Sequence, residues 1–138
     1  MINAQTQQHN DAEKIENLLS EQIINAAIEV HRTLGPGLLE SLYEEALYHE
    51  LTLRNIPVES QVLGPVAYKK RVLKDPMRLD LLVDRKVIVE VKATDQNHPI
   101  YKSQILTYLR LRRLKLGLVL NFGYGRLVDG IIIVVNNL

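Results

Sequence analysis

The chain reads as an α/β domain, a mixed β-sheet flanked by helices. Three observations lead there. Residues 11–54 carry helical apolar periodicity interrupted at Gly35-Pro36-Gly37. Residues 57–93 change to short runs rich in β-branched and alternating apolar positions. A second helical pattern from Pro99 then separates that block from two last apolar runs. Helices, strands, one helix and two strands make a sandwich around a mixed sheet rather than a doubly wound one.

Taken in order, residues 1–10 are polar and Gln/Asn-rich and are expected to be a disordered tail. They contain no apolar core of a signal peptide. From Asp11 to Leu34 the apolar positions Ile15, Leu18, Leu19, Ile23, Ala26, Ala27 and Val30 form one helical stripe. Gly35 stands where a helix C-terminus favours the left-handed conformation. A second helix over about Leu39–Arg54 would bury Leu42, Ala46, Leu47 and Leu51. Pro57–Tyr68 reads as one or two strands broken at Gly64-Pro65, Lys69-Lys70-Arg71 as a turn, and Val72-Leu73 as its return. Met77–Val83 and Val87–Ala93 form a hairpin. Pro99 suits the first turn of a helix running to about Lys115 and ending at Gly117. Leu118–Phe122 and Leu127–Val135 are the last strands, joined by a turn at Gly123-Tyr124-Gly125.

With 138 residues, a single domain over 11–138 is expected, large enough to bury roughly 70% of its unfolded surface without staples. There is no Cys, which excludes disulfides, thiolate metal sites and cysteine-held iron–sulfur clusters. No apolar run approaches the roughly 20 residues of a membrane helix, so a soluble cytoplasmic protein is expected. The formal charge of +1 conceals an asymmetry: three basic against ten acidic residues in 1–60, and fourteen against six in 61–138. Lys69, Lys70 and Arg71, with Lys74 and Arg78, and the group Arg110, Arg112, Arg113 and Lys115 would face an anionic partner. On charge alone the favoured reading is that they are solvated faces, complemented by the acidic helices.

The chemistry concentrates in Asp80-Leu-Leu-Val-Asp84-Arg-Lys-Val-Ile-Val-Glu90-Val-Lys92. Ionisable groups inside apolar strands are costly unless compensated. Glu90 and Lys92 are two apart and project from the same side of a strand. Asp80 joins them only if residue 80 lies opposite residue 90, which requires an odd loop, such as Asp84-Arg85-Lys86 with Val83 facing Val87. A two-residue turn would set Asp80 against Val89 and point it away. Read without further context, the three residues fit a metal site or a cross-strand salt-bridge cluster equally well. The histidines His9, His31, His49 and His98 have no metal-ligand spacing, and Gly35-Pro36-Gly37 lacks the Lys and Ser/Thr of a phosphate-cradling loop.

The element order together with Asp80, Glu90-Val91-Lys92 and the helix that follows resembles the PD-(D/E)XK nuclease superfamily, with its restriction-endonuclease-like core. Gly37-Leu-Leu-Glu40-Ser-Leu-Tyr43 is similar to the GxxExxY motif that names a small bacterial family within it. Gln104-Ile-Leu-Thr-Tyr108 looks like the Gln-x-x-x-Tyr helix motif of RecB-like nucleases. The resemblance runs from about Ile23 to Val135 and takes in Asn121-Phe122-Gly123. Leu79 stands where the superfamily name has Pro, a change that leaves the carboxylate in place.

The resemblance implies a nuclease dependent on Mg²⁺ or Mn²⁺, with Asp80, Glu90 and the Val91 carbonyl as metal ligands. It further implies Lys92 beside the attacking water, with Glu40 and Gln104 assisting. Tyr108, Lys69, Lys70, Arg71 and Arg112 would contact the nucleic acid. No cofactor beyond the metal is implied. DNA is expected before RNA, and structure- or end-directed cleavage before sequence-specific cleavage. The acidic first two helices leave room for a homodimer or a protein partner. A binding platform without catalysis, or a subunit active only with a partner, is the competing expectation. Tyr43 would either orient Glu40 or pack, and Tyr108 would either touch the nucleic-acid backbone or bury its ring.

Overall fold

Val83 pairs with Val87 across the three-residue loop Asp84-Arg85-Lys86, and Leu82↔Ile88 and Leu81↔Val89 follow. This is the register that brings residue 80 toward residue 90. Asp84 and Arg85 both take positive φ, 49° and 55°, and the Lys86 N–H closes the loop on the Val83 carbonyl at 2.9 Å. The Asp84 N–H also donates to the Pro57 carbonyl at 2.8 Å, tying the loop to the neighbouring strand.

The computed structural model describes residues 4–137, and side chains from residue 14 onward. The described elements are α1 (Ala4–Leu34), α2 (Glu40–Leu53), β1 (Val58–Gly64), β2 (Ala67–Tyr68), β3 (Arg71–Val72), β4 (Met77–Val83), β5 (Val87–Lys92), α3 (Pro99–Arg112), β6 (Leu116–Asn121), a short 3-10 helix (Leu127–Gly130) and β7 (Ile131–Val135). A five-stranded sheet has the order β1-β4-β5-β6-β7, and β2 and β3 form a separate two-stranded ribbon. β5 and β6 are parallel, joined by the α3 crossover, and the other neighbours are antiparallel. The expected mixed sheet flanked by helices is present. Among the described residues no helix is long and apolar enough to cross a membrane.

α1 and α2 cover one face of the sheet. Ile23, Ala27, Tyr43, Leu47 and Leu51 meet Leu81, Val83, Val89, Val91, Leu118 and Leu120 there. α3 covers the other face, where Ile105 and Leu109 meet Leu79, Leu82, Ile88, Val119 and Val134. β4, β5 and β6 are buried from both sides, which explains their continuous apolar runs.

Several expected details differ. α1 starts ahead of Asp11, at Ala4, so residues 4–10 of the expected tail continue the helix; residues 1–3 lie outside the described part. Ile15 and Leu18 are exposed, because the contact with the sheet begins only at Leu19. In α2, Leu42 is 45% exposed and Tyr43 is buried in its place. α3 ends at Arg112, capped by Arg113 in the left-handed conformation, and Gly117 belongs to β6. A side chain at Gly117 would strike Ile105 Cδ1 at 2.7 Å, so this glycine serves close helix-on-sheet packing rather than a helix end. The last expected strand is divided into the 3-10 helix and β7. The 69–71 turn is tighter than expected, with Lys69-Lys70 at its tip and Arg71 already in β3.

Candidate functional site

Strand alternation changes phase at Asp80. Leu79 and Leu81 are two apart, yet Leu81 packs under α1 and α2 while Leu79 packs under α3. The β1 partner does the same, with Val58 on the first face and Val62 on the second. Regular pairs run Ser60↔Leu81 and then Val62↔Leu79, passing over Gln61 and Asp80. Gln61 sits there with φ 52°. A non-glycine residue in that conformation costs of order 1–3 kcal/mol and persists only where its surroundings impose it.

The hydrogen bonds explain the kink. The Asp80 N–H donates to Glu90 Oε1 at 3.2 Å, and the Val91 N–H donates to Asp80 Oδ2 at 2.9 Å. Each carboxylate thus replaces a carbonyl of the neighbouring strand, and the two acids are held side by side. Glu90 is buried at 4% exposure. Burial, and then the adjacent Asp80 carboxylate, push its carboxyl up to about 9, with the Lys92 charge acting in the opposite direction.

Lys92, at the end of β5, places its ammonium 4.9 Å from the centroid of the Tyr101 ring. Beyond it opens a cleft of about 560 Å³ along α3, lined among others by Tyr101, Gln104, Thr107 and Tyr108. Gln104 Nε2 donates to the Tyr108 hydroxyl at 2.9 Å, so these two expected contact residues bind each other at the cleft wall. Arg112 continues the same side of the helix. A Cβ built on Gly64 would lie 3.5 Å from its Nη1, which sets the guanidinium against the end of β1.

Glu40 opens α2 and lies within electrostatic reach of Lys92 and Asp80. Partial burial raises its carboxyl, Lys92 opposes that, and Asp80 adds to it. Tyr43 does not orient Glu40. It stacks on Phe122, with centroids 4.6 Å apart, while its hydroxyl donates to the Gly35 carbonyl and accepts from the Leu38 N–H. In this motif the tyrosine holds the glycine-rich turn that aims the helix start.

Three residues to which the sequence assigned no site role join the site. Glu44 lies one turn after Glu40, and its carboxyl faces Asp80. Burial raises it, and Gln61 counters that by donating to both of its oxygens at 3.0 and 2.8 Å. The i, i+4 spacing from Glu40 was the available signal for Glu44; Gln61 had none. Asn121 is fully buried. Its Oδ1 accepts from the Thr94 and Gly123 N–H groups, and its Nδ2 donates to Thr94 Oγ1 and Asn97 Oδ1, each at 2.9–3.0 Å. It pins the chain immediately after Lys92, and a polar residue inside the run Leu118–Phe122 was its signal. Lys69, Lys70 and Arg71 stand apart on the β2–β3 ribbon.

Among the described residues no set of three or more His, Cys, Asp or Glu side chains is poised to hold a metal ion. The donors present nevertheless suit a hard divalent cation. Mg²⁺ is bound through one or two carboxylates while retaining several waters. Two adjacent acids, one of them buried and hard to ionise, are what such a charge would relieve. His31 and His98 are occupied elsewhere, on the Tyr124 carbonyl and at the α3 N-terminus.

The sequence profile of the PD-(D/E)XK nuclease superfamily matches residues 17–133. The chain belongs to that superfamily. No curated protein and no solved structure matches it.

Proposed function

We propose that this protein is a metal-dependent nuclease that hydrolyses phosphodiester bonds, with DNA as the first substrate to test and RNA the second. The observation that supports this most is the register placing Asp80 against Glu90 with Lys92 beside them. In this reading Asp80, Glu90 and the Val91 carbonyl hold Mg²⁺ or Mn²⁺. The ion, when bound, supplies Lewis-acid polarisation of the phosphate and a more acidic water. The Lys92 ammonium stabilises negative charge building on the phosphate, and its seat against the Tyr101 ring limits where that charge can sit. Glu40 orients water at the carboxylate side. Gln104 and Tyr108 exchange their mutual bond for contacts to the incoming backbone, and Arg112 receives a phosphate further along.

Within the superfamily, the motif Gly37…Glu40…Tyr43 supports membership of the GxxExxY family, and the Tyr43 contacts give that motif a physical purpose. The cytoplasm, which holds both nucleic acid and Mg²⁺, is the expected compartment.

The test is a cleavage panel of labelled single-stranded, duplex and branched DNA and RNA, with Mg²⁺, Mn²⁺ or EDTA. Wild type should cut only with metal, and Lys92→Ala should lose at least about 100-fold in rate. Cleavage that survives in Asp80→Ala, Glu90→Ala and Lys92→Ala alike would sink this assignment. Folded, metal-binding protein that cuts nothing would favour a binding role or a missing partner.

A further inference from the structure

The β2–β3 ribbon contributes to neither core cluster. All four of its strand residues are exposed, Tyr68 at 61% and Val72 at 64%. It is closed at its base by the Leu73 N–H on the Val66 carbonyl, at 2.8 Å. Its tip is a two-residue turn in which Lys69 and Lys70 both have positive φ, 47° and 70°. That turn strongly prefers Asn-Gly, and a lysine in the left-handed region costs roughly 1–2 kcal/mol. A strained, solvent-exposed hairpin with an aromatic ring and cations at its end contributes little to folding. Such local inconsistency is expected where a segment serves binding.

Its placement links it to the site. The ribbon is inserted between β1 and β4, at the end of the sheet where β5 finishes with Lys92. Asp80 is three residues inside β4 from Met77, roughly 10 Å at the strand rise. Arg112, lying against Gly64 at the ribbon's root, continues the α3 stripe that starts beside Lys92 with Tyr101, Gln104 and Tyr108. The α3 stripe beside Lys92 thus leads by way of Arg112 to the root of the ribbon, with Lys69, Lys70 and Arg71 standing further out on it. Among the described residues, no ion pair uses Lys69, Lys70, Arg71, Lys74 or Arg78.

We infer that the β2–β3 hairpin is a wedge for nucleic-acid duplexes that open into single strands, with Tyr68 stacking on the last base pair and Lys69, Lys70 and Arg71 on the flanking phosphates. This deepens the nuclease reading by naming its substrate class, and it rests on that reading for the identity of the polymer. Uniform duplex offers the lysines phosphates but no open base face for the ring, whereas a fork offers both. The ribbon stands at the same end of the sheet as Lys92, so cleavage is expected close to the junction.

The decisive experiment measures binding, so it stands whether or not the protein cuts. In EDTA, forked and fully paired DNA of equal length, carrying 2-aminopurine at the junction position, are titrated with wild type, Tyr68→Ala, Tyr68→Trp and Lys69→Ala/Lys70→Ala. Wild type should prefer the fork about tenfold and raise the 2-aminopurine fluorescence. Tyr68→Ala should lose both while still binding duplex, and Tyr68→Trp should keep both. The double lysine variant should weaken binding to all substrates and lower the salt slope by about 2. Equal affinity of wild type for fork and duplex, or an unchanged fork preference in Tyr68→Ala, overturns the wedge. So does failure to bind either DNA. Fork preference without cleavage in the metal panel would leave the wedge intact and remove the nuclease reading alone.

Discussion

Two tight hairpins of this molecule use similar backbone conformations for opposite ends. Asp84-Arg85-Lys86 joins strands buried on both faces, is hydrogen-bonded to Pro57, and carries the Lys86–Asp84 ion pair at 3.3 Å. Lys69-Lys70 joins strands that bury nothing. The first loop sets the register on which Asp80 and Glu90 depend. The second sets only where its own side chains stand. A left-handed residue is thus a folding device where the flanking strands are packed, and a device for presentation where they are not.

Removing Arg85 should break the comparison most severely. A two-residue loop would shift the β4–β5 register and turn a doubly buried strand inside out. We expect a loss of about 5 kcal/mol or more, which for a domain of this size means no cooperative unfolding transition in urea.

The next effect concerns the acids that this register brings together. The folded Glu90 carboxyl titrates at about 9 against an ordinary 4.5, so the folded protein holds the proton more tightly than the unfolded chain. The contribution of this group to stability is therefore fully present below about 4.5 and is lost as pH rises toward about 9. In EDTA, melting temperature should fall across that window, and Glu90→Gln should flatten the fall. Divalent metal should bind more tightly as pH rises and release protons on binding. A wild-type melting profile parallel to that of Glu90→Gln would contradict this.

Asn121→Ala tests a third connection, the chain after Lys92. It strands the Thr94 and Gly123 N–H groups, and should cost about 2–3 kcal/mol by chemical denaturation. Activity should drop further than stability accounts for, because Lys92 loses its fixed neighbour.

On the unpacked hairpin the signs invert. Lys69→Asn with Lys70→Gly should stabilise the protein by about 1 kcal/mol, because the new residues accept positive φ. Tyr68→Ala should move stability by no more than about 0.5 kcal/mol. Calorimetry on both variants checks the pair, and a large loss in either would mean that the hairpin belongs to the fold after all.

The sequence by itself determined the order of elements, the mixed sheet, and the pairing of Glu90 with Lys92 on one side of β5. It also determined what the Asp84–Lys86 loop had to be for Asp80 to join them. Those are consequences of periodicity and turn length, which act between residues close along the chain. Only the tertiary structure decided that alternation changes phase at Asp80, because that kink is imposed jointly by Gln61 on the neighbouring strand and by the Glu90 carboxylate. For the same reason Gln61 entered the site with no pattern to mark it, and Glu44 and Asn121 with only a helical spacing and a lone polar position as signals. The long-range partners that draw them in lie 17 to 36 residues away, and neither helical nor strand periodicity reaches that far. Tyr43 makes the complementary case: its spacing in the motif was visible, but its task, stacking on Phe122 and holding the Gly35 turn, depended on which strand came to lie beside it.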